Sequence, residues 1–214
     1  MTGLKLHLLA LVGSSVLLSQ TQLLHSSVEI GSISEVRGNA QVLRDKPYGA
    51  ELKFNIQQMD DVRTEAGRVA ITFSDDSTVK LTEHSKLVID EYIYDPDPSK
   101  SKMALKFASG TARFITGKFN NKSNISIRTP TADIAIRGTD FTCTVDELGR
   151  SLVILLPDEN GISSGEILVS TAMGSVTLNK PYQATTVSVY ENNPSKPVTL
   201  DISLDLIDNM LIVN

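Results

Sequence analysis

The chain has 214 residues, 41% of them hydrophobic and 21% charged, which suits one globular domain with extensions and a sizeable buried core. A formal net charge of −5 argues against a general nucleic-acid-binding surface, and a single cysteine excludes an intrachain disulfide and any multi-cysteine zinc site. Tryptophan is absent and aromatic residues make up 5%, so Ile, Val, Leu and Ala are expected to build the core.

Residues 1–27 read as a signal peptide or N-terminal apolar segment. Lys5 and His7 precede an apolar run of eleven residues, Leu8 to Leu18. That length fits the core of a signal peptide and falls short of the roughly 20 apolar residues a spanning helix needs. An uncleaved anchor and an ordinary structural helix are the alternatives. No cysteine follows the run, which excludes a lipoprotein anchor.

From Val28 onward the pattern is strand and turn. Val28 to Val36 ends at Gly38, Ala40 to Leu43 follows, and Asp75-Asp76-Ser77 turns Val69–Phe73 back into Val79–Thr82. Lys86 to Tyr94 is a further strand, broken by Asp95-Pro96-Asp97-Pro98. Met103–Phe107 and Thr111–Ile115 flank Ala108-Ser109-Gly110, which reads as a hairpin. Leu152–Leu156, Gly165–Ser170 and Gly174–Leu178 complete the series. Many short strands with almost no helical periodicity before residue 200 predict an all-β domain. The layout of Gly31–Leu43 resembles that of Gly165–Leu178, a hint of stacked β coils, although the glycine spacings differ. The expected organisation is a β domain over 28–183 and a C-terminal extension over 184–214. In that extension Leu204, Leu206, Ile207, Met210 and Leu211 suit a docking strand or helix.

Asn124 to Val145 is the stretch around which the rest is arranged. Ile125 and Ile127, then Ile134 and Ile136, then Phe141, Cys143 and Val145 alternate with polar residues, which is the mark of three strands with one buried face. Thr129-Pro130 and Arg137-Gly138-Thr139-Asp140 separate them, and Arg128, Arg137, Thr142 and Thr144 form the expected exposed row. Cys143 falls on the inward phase and is expected to be buried and unreactive.

The pattern Thr-Pro-x-Ala-x-x-x-x-Arg-Gly-Thr-x-Phe from Thr129 to Phe141 resembles the signature of FecR-type domains, the periplasmic part of ferric citrate sensor regulators. Gly31–Val42 looks like the opening strand pair of that family and Asp61–Gly67 like its turn. Phe73–Leu81 resembles its hairpin, with Asp76 where glycine is usual. The resemblance covers roughly residues 29–180. It implies a β-solenoid-like architecture, while the strand pattern by itself fits a sandwich equally. The signature residues carried over are Thr129, Pro130, Arg137, Gly138, Thr139 and Phe141, in a structural or partner-binding role. For Arg137 the expected role is structural, its guanidinium capping carbonyls of adjacent turns with Thr139 or Asp140 completing the network.

Chemistry is sparse. His7 and His25 lie in or beside the apolar segment, His84 stands alone in a polar turn, and no nucleophile–base pair, phosphate loop or His-x-x-x-His spacing occurs, so no enzyme, metal or cofactor is expected. Asp60-Asp61, Asp75-Asp76 and Asp95-Pro96-Asp97 are weighed as calcium ligands and read as solvated turn aspartates. Between Asp97 and Asp133 no acidic residue occurs, whereas Lys100, Lys102, Lys106, Arg113, Lys118, Lys122 and Arg128 give that segment +7 against −12 elsewhere. This marks a candidate face for an anionic envelope surface, set against a solvated strand face balanced by neighbouring acidic residues. The expectation is a non-enzymatic, exported FecR-like domain acting through protein contacts in envelope sensing or signalling. Binding of nucleic acid is not expected. Fewer than thirty residues precede the domain, so cytoplasmic sigma-factor binding is not expected either. The alternatives are a structural component of a virion or cell envelope and a polysaccharide- or metal-binding module.

Overall fold

The computed structural model describes residues 29–118, 124–190 and 193–203, and within them the chain is strand and turn apart from one 3-10 turn at Pro98–Lys100. The apolar segment of residues 1–27 and the stripe from Leu204 to Leu211 lie outside the described residues. Strands β1 (Gly31–Arg37), β2 (Ala40–Leu43), β3 (Pro47–Gly49), β4 (Asn55–Ile56), β5 (Asp61–Thr64), β6 (Arg68–Phe73), β7 (Thr78–Leu81) and β8 (Lys86–Ile93) lead to a long strand, β9 (Lys102–Ile115). After it come β10 (Asn124–Arg128), β11 (Asp133–Arg137), β12 (Asp140–Val145), β13 (Ser151–Leu155), β14 (Glu166–Ser170), β15 (Ser175–Leu178), β16 (Gln183–Val187) and β17 (Val198–Thr199). β16 and β17 carry the pairing past residue 183: β16 lies against β13 and β17 against β16.

The strands make one open sheet folded into two layers along β9. In the first layer the order is β4–β1–β6–β7–β9–β12–β13–β16–β17, and in the second it is β3–β2–β5–β8–β9–β10–β11–β14–β15. Among the described residues the ladder between β9 and β10 is parallel and the others are antiparallel. The parallel stacking of a solenoid is thus confined to that one pair. The layout shared by the two Gly-rich stretches has no structural counterpart. β1 and β2 diverge into different layers, whereas β14 and β15 pair directly as a hairpin.

Alternation fills the space between the layers. Ile33, Val69, Ile71, Phe73, Phe114 and Phe141 from the first layer meet Val42, Val62, Leu87, Ile89, Leu105 and Ile134 from the second in a single core cluster. Phe114 stacks on Phe141 with centroids 5.0 Å apart and meets Phe107 edge-on at 5.9 Å, so aromatic contacts hold the layers together where β9 crosses. A small second cluster lies elsewhere: Ile154, Leu156 and Ala184 are covered by Leu200 and Ile202 of the C-terminal extension.

The stretch read as a hairpin at Ala108–Gly110 is a bend within one strand. β9 runs unbroken for 14 residues; its Lys102–Ser109 half pairs with β8 and β10, and its Gly110–Ile115 half with β7 and β12. Ser109-Gly110 bends the strand without reversing it, because partners in both layers continue the ladder on either side. Gly110 has φ +93°, and a Cβ placed there would lie 2.1 Å from Ser85 Oγ and 2.5 Å from Ser85 Cα. Gly110→Ala is therefore expected to cost about 3 kcal/mol, combining backbone strain with overpacking. Urea denaturation measures it, and an unchanged midpoint would show that the crossing tolerates a side chain.

Candidate functional site

The signature residues divide between the two ends of β11. At one end Thr129 closes the β10–β11 turn: its backbone N–H donates to the Ala132 carbonyl (2.9 Å), and its Oγ1 accepts the Ala132 N–H (3.0 Å) and the Ser151 hydroxyl (2.8 Å). Thr129 is buried and Pro130 is exposed beside it. At the other end, roughly 15 Å away for a five-residue strand, the chain leaves the second layer at Gly138 and enters the first. Gly138 adopts φ +56°, which glycine takes without steric cost. Arg137 precedes it on the outer face, exposed, and its guanidinium lies 3.4 Å from Glu166 Oε1 on β14. That differs from the carbonyl-capping role expected of it, because Arg137 projects on the outward phase of its strand, away from the turns.

The network at this corner is built by residues with less conspicuous sequence signals. Arg113 on β9 grips Asp140 with two hydrogen bonds, Nε to Oδ1 at 2.9 Å and Nη2 to Oδ2 at 2.7 Å. Thr116 Oγ1 accepts the Thr139 N–H (2.7 Å) and donates to the Thr139 carbonyl (2.5 Å). Ser164 Oγ accepts the Asp140 N–H (3.0 Å) and donates to the Leu156 carbonyl (2.7 Å). Phe141 then anchors the corner in the core, fully buried. Beside the corner opens a cleft of about 360 Å3 whose walls include Ile115, Gly138, Thr139, Pro157, Asp158 and Glu159.

Residues 60–176, more than half of the chain, match the FecR protein family. This chain belongs to the FecR family. Two crystal structures of a candidate anti-sigma factor from Parabacteroides distasonis ATCC 8503, at 1.65 Å and 2.50 Å resolution, share the fold with TM-scores of 0.52 and 15% sequence identity. The match covers 66% of this chain and 60% of theirs, so the FecR chain spans well under two thirds of their length. No curated protein matches the sequence. In this FecR domain the hairpin position where Asp76 replaces the usual glycine has φ +66°, the backbone conformation that favours glycine and that aspartate tolerates.

Of the expected exposed row, Arg128 and Arg137 are exposed and Thr144 is half-buried. Thr142 is buried, enclosed by its cross-strand neighbours Arg113 and Ile154. The basic residues of the segment lie opposite carboxylates. Lys102 reaches Glu91 at 2.6 Å, Lys106 reaches Asp90 at 2.7 Å, Lys118 reaches Asp76 at 2.8 Å, Arg128 reaches Asp133 at 2.9 Å, and Lys100 lies 3.9 Å from Asp97. Lys122 lies outside the described residues. The excess positive charge of the segment is thus met locally by acidic residues of neighbouring strands and turns.

Two of the aspartates read as solvated are buried. Asp60 accepts hydrogen bonds from Arg44 Nε (2.7 Å), Arg44 Nη2 (2.8 Å) and the Gln57 N–H (2.8 Å). Asp75 accepts from the Tyr92 hydroxyl (2.9 Å) and from Ser77 Oγ, and burial pushes the Tyr92 phenol pKa upward. Their partners stand 16 and 17 residues away, which local pattern does not reveal. Asp61 pairs with Arg63 at 2.7 Å. Among the described residues no three His, Cys, Asp or Glu side chains group so as to hold a metal ion. His84 is exposed in a turn with φ +55°.

Removing Arg44 strands a buried carboxylate, so Arg44→Met is expected to cost about 3 kcal/mol, with part recovered in the Arg44→Met/Asp60→Asn double variant. A double variant no more stable than Arg44→Met would show that the charge is not what matters. Cys143 is fully buried, and burial raises its thiol pKa from 9.0 to about 12. The unfolded chain gives up this proton first, so the stabilising contribution is complete below pH 9 and is lost as pH rises from 9 toward 12. The stability difference between the wild type and Cys143→Ala, measured by denaturation across that range, is expected to shrink with rising pH; a constant difference would contradict the burial.

Proposed function

We propose that this chain is an exported, non-enzymatic FecR domain that regulates signalling in the cell envelope through contact with a protein partner. Membership of the FecR family supports the regulatory class. The solved relative named for an anti-sigma role adds the idea that the contact feeds into control of gene expression. Localisation in the periplasm or at the cell surface rests on the apolar run of residues 8–18 and its basic flank.

The observation that carries the contact reading is the end of the domain opposite the Gly138 corner. Residues 129–132, 146–150, 171–174, 188–190 and 193–195 gather there. Thr131 Oγ1 donates to the Gly149 carbonyl (3.1 Å), a Cβ at Gly149 would lie 3.8 Å from Val189, and a Cβ at Gly174 would lie 2.6 Å from Asn193 Oδ1. These loops present Leu148, Met173, Val189 and Tyr190 to solvent, Tyr190 with 85% of its surface exposed. Apolar groups of this size gathered on a surface cost solubility unless a partner covers them. An exposed methionine and a protruding tyrosine are residue types that protein interfaces favour.

A photoreactive phenylalanine analogue placed at Tyr190 is expected to cross-link a defined partner in the native cell envelope, whereas the same group at Ser126, on the outer face of the second layer, is not. Leu148→Asp is expected to abolish that cross-link while moving stability by no more than about 0.5 kcal/mol. Equal labelling from both sites, or none from either, would remove the contact reading. The intact mass of the recovered protein tests export: loss of roughly the first 20–27 residues is expected, and a full-length chain in the cytoplasm would contradict it.

A further inference from the structure

The chain carries two apolar features that its own core does not absorb. One is the loop end, where Leu148, Met173, Val189 and Tyr190 project into solvent. The other is the C-terminal segment. Leu200 and Ile202 pack against the second cluster of Ile154, Leu156 and Ala184. In the sequence Leu204 and Leu206 keep their phase, and Ile207, Met210 and Leu211 extend the apolar run around Asp205 and Asp208.

The segment leaves the domain at the Gly138 corner, the end opposite the loops. Leu200 N–H donates to the Tyr182 carbonyl (2.9 Å), and Tyr182 N–H donates to the Leu155 carbonyl (2.8 Å). The next residue, Leu156, donates its N–H to the carbonyl of Asp140 in the corner itself (2.8 Å). β17 runs antiparallel to β16, so the chain there heads away from Val189 and Tyr190. Apolar ground on this side ends with the second cluster. The cleft beyond it is lined by Asp140, Asp158 and Glu159 among others, a poor seat for a segment that itself carries Asp205 and Asp208.

Chain length decides which copy the segment can serve. The six residues of β12 separate the corner from the loop end by about 20 Å. Leu204 and Leu206 stand one and three residues past Ser203, so they reach no farther than about 11 Å from it. They cannot lie on the loops of their own molecule. We propose that the loop end of one copy receives the C-terminal segment, Leu204 to Leu211, of a second copy. The proposal rests on the reading that the loop end is a protein-contact surface, and it names the occupant. The contact is heterologous: each copy offers one loop end and one segment. It therefore repeats from molecule to molecule unless the rotation closes a ring.

Analytical ultracentrifugation of the full chain tests it, and species that grow with concentration are expected for the wild type. Leu148→Asp spoils the loop end and Leu206→Asp spoils the segment. Each alone is expected to weaken self-association at least about tenfold while the thermal melt stays that of the wild type, and Tyr190→Asp replaces Leu148→Asp should that variant unfold. Mixed in equal amounts, the two variants are expected to form a dimer that grows no further, because the intact segment of one takes the intact loop end of the other. A monomeric wild type, self-association that survives both substitutions, or failure of the mixed pair to dimerise would overturn the proposal. A monomeric wild type that binds anionic phospholipid vesicles, with binding lost in Leu148→Asp, would make a membrane the occupant instead. The Tyr190 cross-link separates this proposal from the contact reading. A product of two copies supports both, a product with a different protein keeps the contact reading and sinks the self-contact, and no product removes both.

Discussion

The passage of β9 from one layer to the other is the constraint on which the rest of the molecule depends. A strand shared by two sheets must keep its backbone hydrogen bonds on both sides while changing plane, and that requires a residue free to take an unusual φ at the crossing. Gly110 meets the requirement at +93°, pressed against Ser85. On either side of it the strand keeps two partners, β8 and β10 before the crossing and β7 and β12 after it. Because the same strand organises both layers, the aromatic contacts of Phe107, Phe114 and Phe141 fall beside the crossing, where they hold the layers in register.

The signature corner follows from this arrangement. β12 pairs with the second half of β9, while β11 pairs with β10, which pairs with the first half. The chain between β11 and β12 therefore has to make the same change of layer as β9, in two or three residues. Gly138 supplies the turn, and Arg113 on β9 holds Asp140 on β12 once the turn is made. The Arg-Gly-Thr motif is thus first a device for changing layers. Its exposed arginine and the cleft beside it are what the turn leaves open to solvent.

How much of this the sequence shows depends on the range of the interaction involved. The three strands from Asn124 to Val145 are legible because one buried face imposes strict alternation, and the alternation of Ile125, Ile127, Ile134 and Ile136 is visible over a few residues. The same rule places Cys143 inside. What a short window does not hold is which layer a strand joins. Ala108-Ser109-Gly110 has the composition of a turn, and only β7 and β12, strands distant in the chain, make it a bend in a continuous strand. The burial of Asp60 and Asp75 is hidden for a similar reason, since Arg44 and Tyr92 are remote in sequence. Arg137 stands out by its place in the motif, yet the working ion pair at the corner belongs to Arg113 and Asp140. The thin signal there is the charged residue Arg113 sitting between Ala112 and Phe114 in the second half of β9. The cleft was invisible in the sequence because its walls come from β9, the corner, and the loop after β13.

An open sheet has loose ends, and here they are cut short. Among the described residues the edge strands are β4 and β17 in the first layer and β3 and β15 in the second, with lengths of two, two, three and four residues. An edge of two or three residues offers too few unpaired backbone groups for a second molecule to add a strand and continue the ladder. Of the described edges only β15, with four residues, offers a second copy a ladder of any length, so strand addition has little purchase and lateral association is left to whatever the loops select.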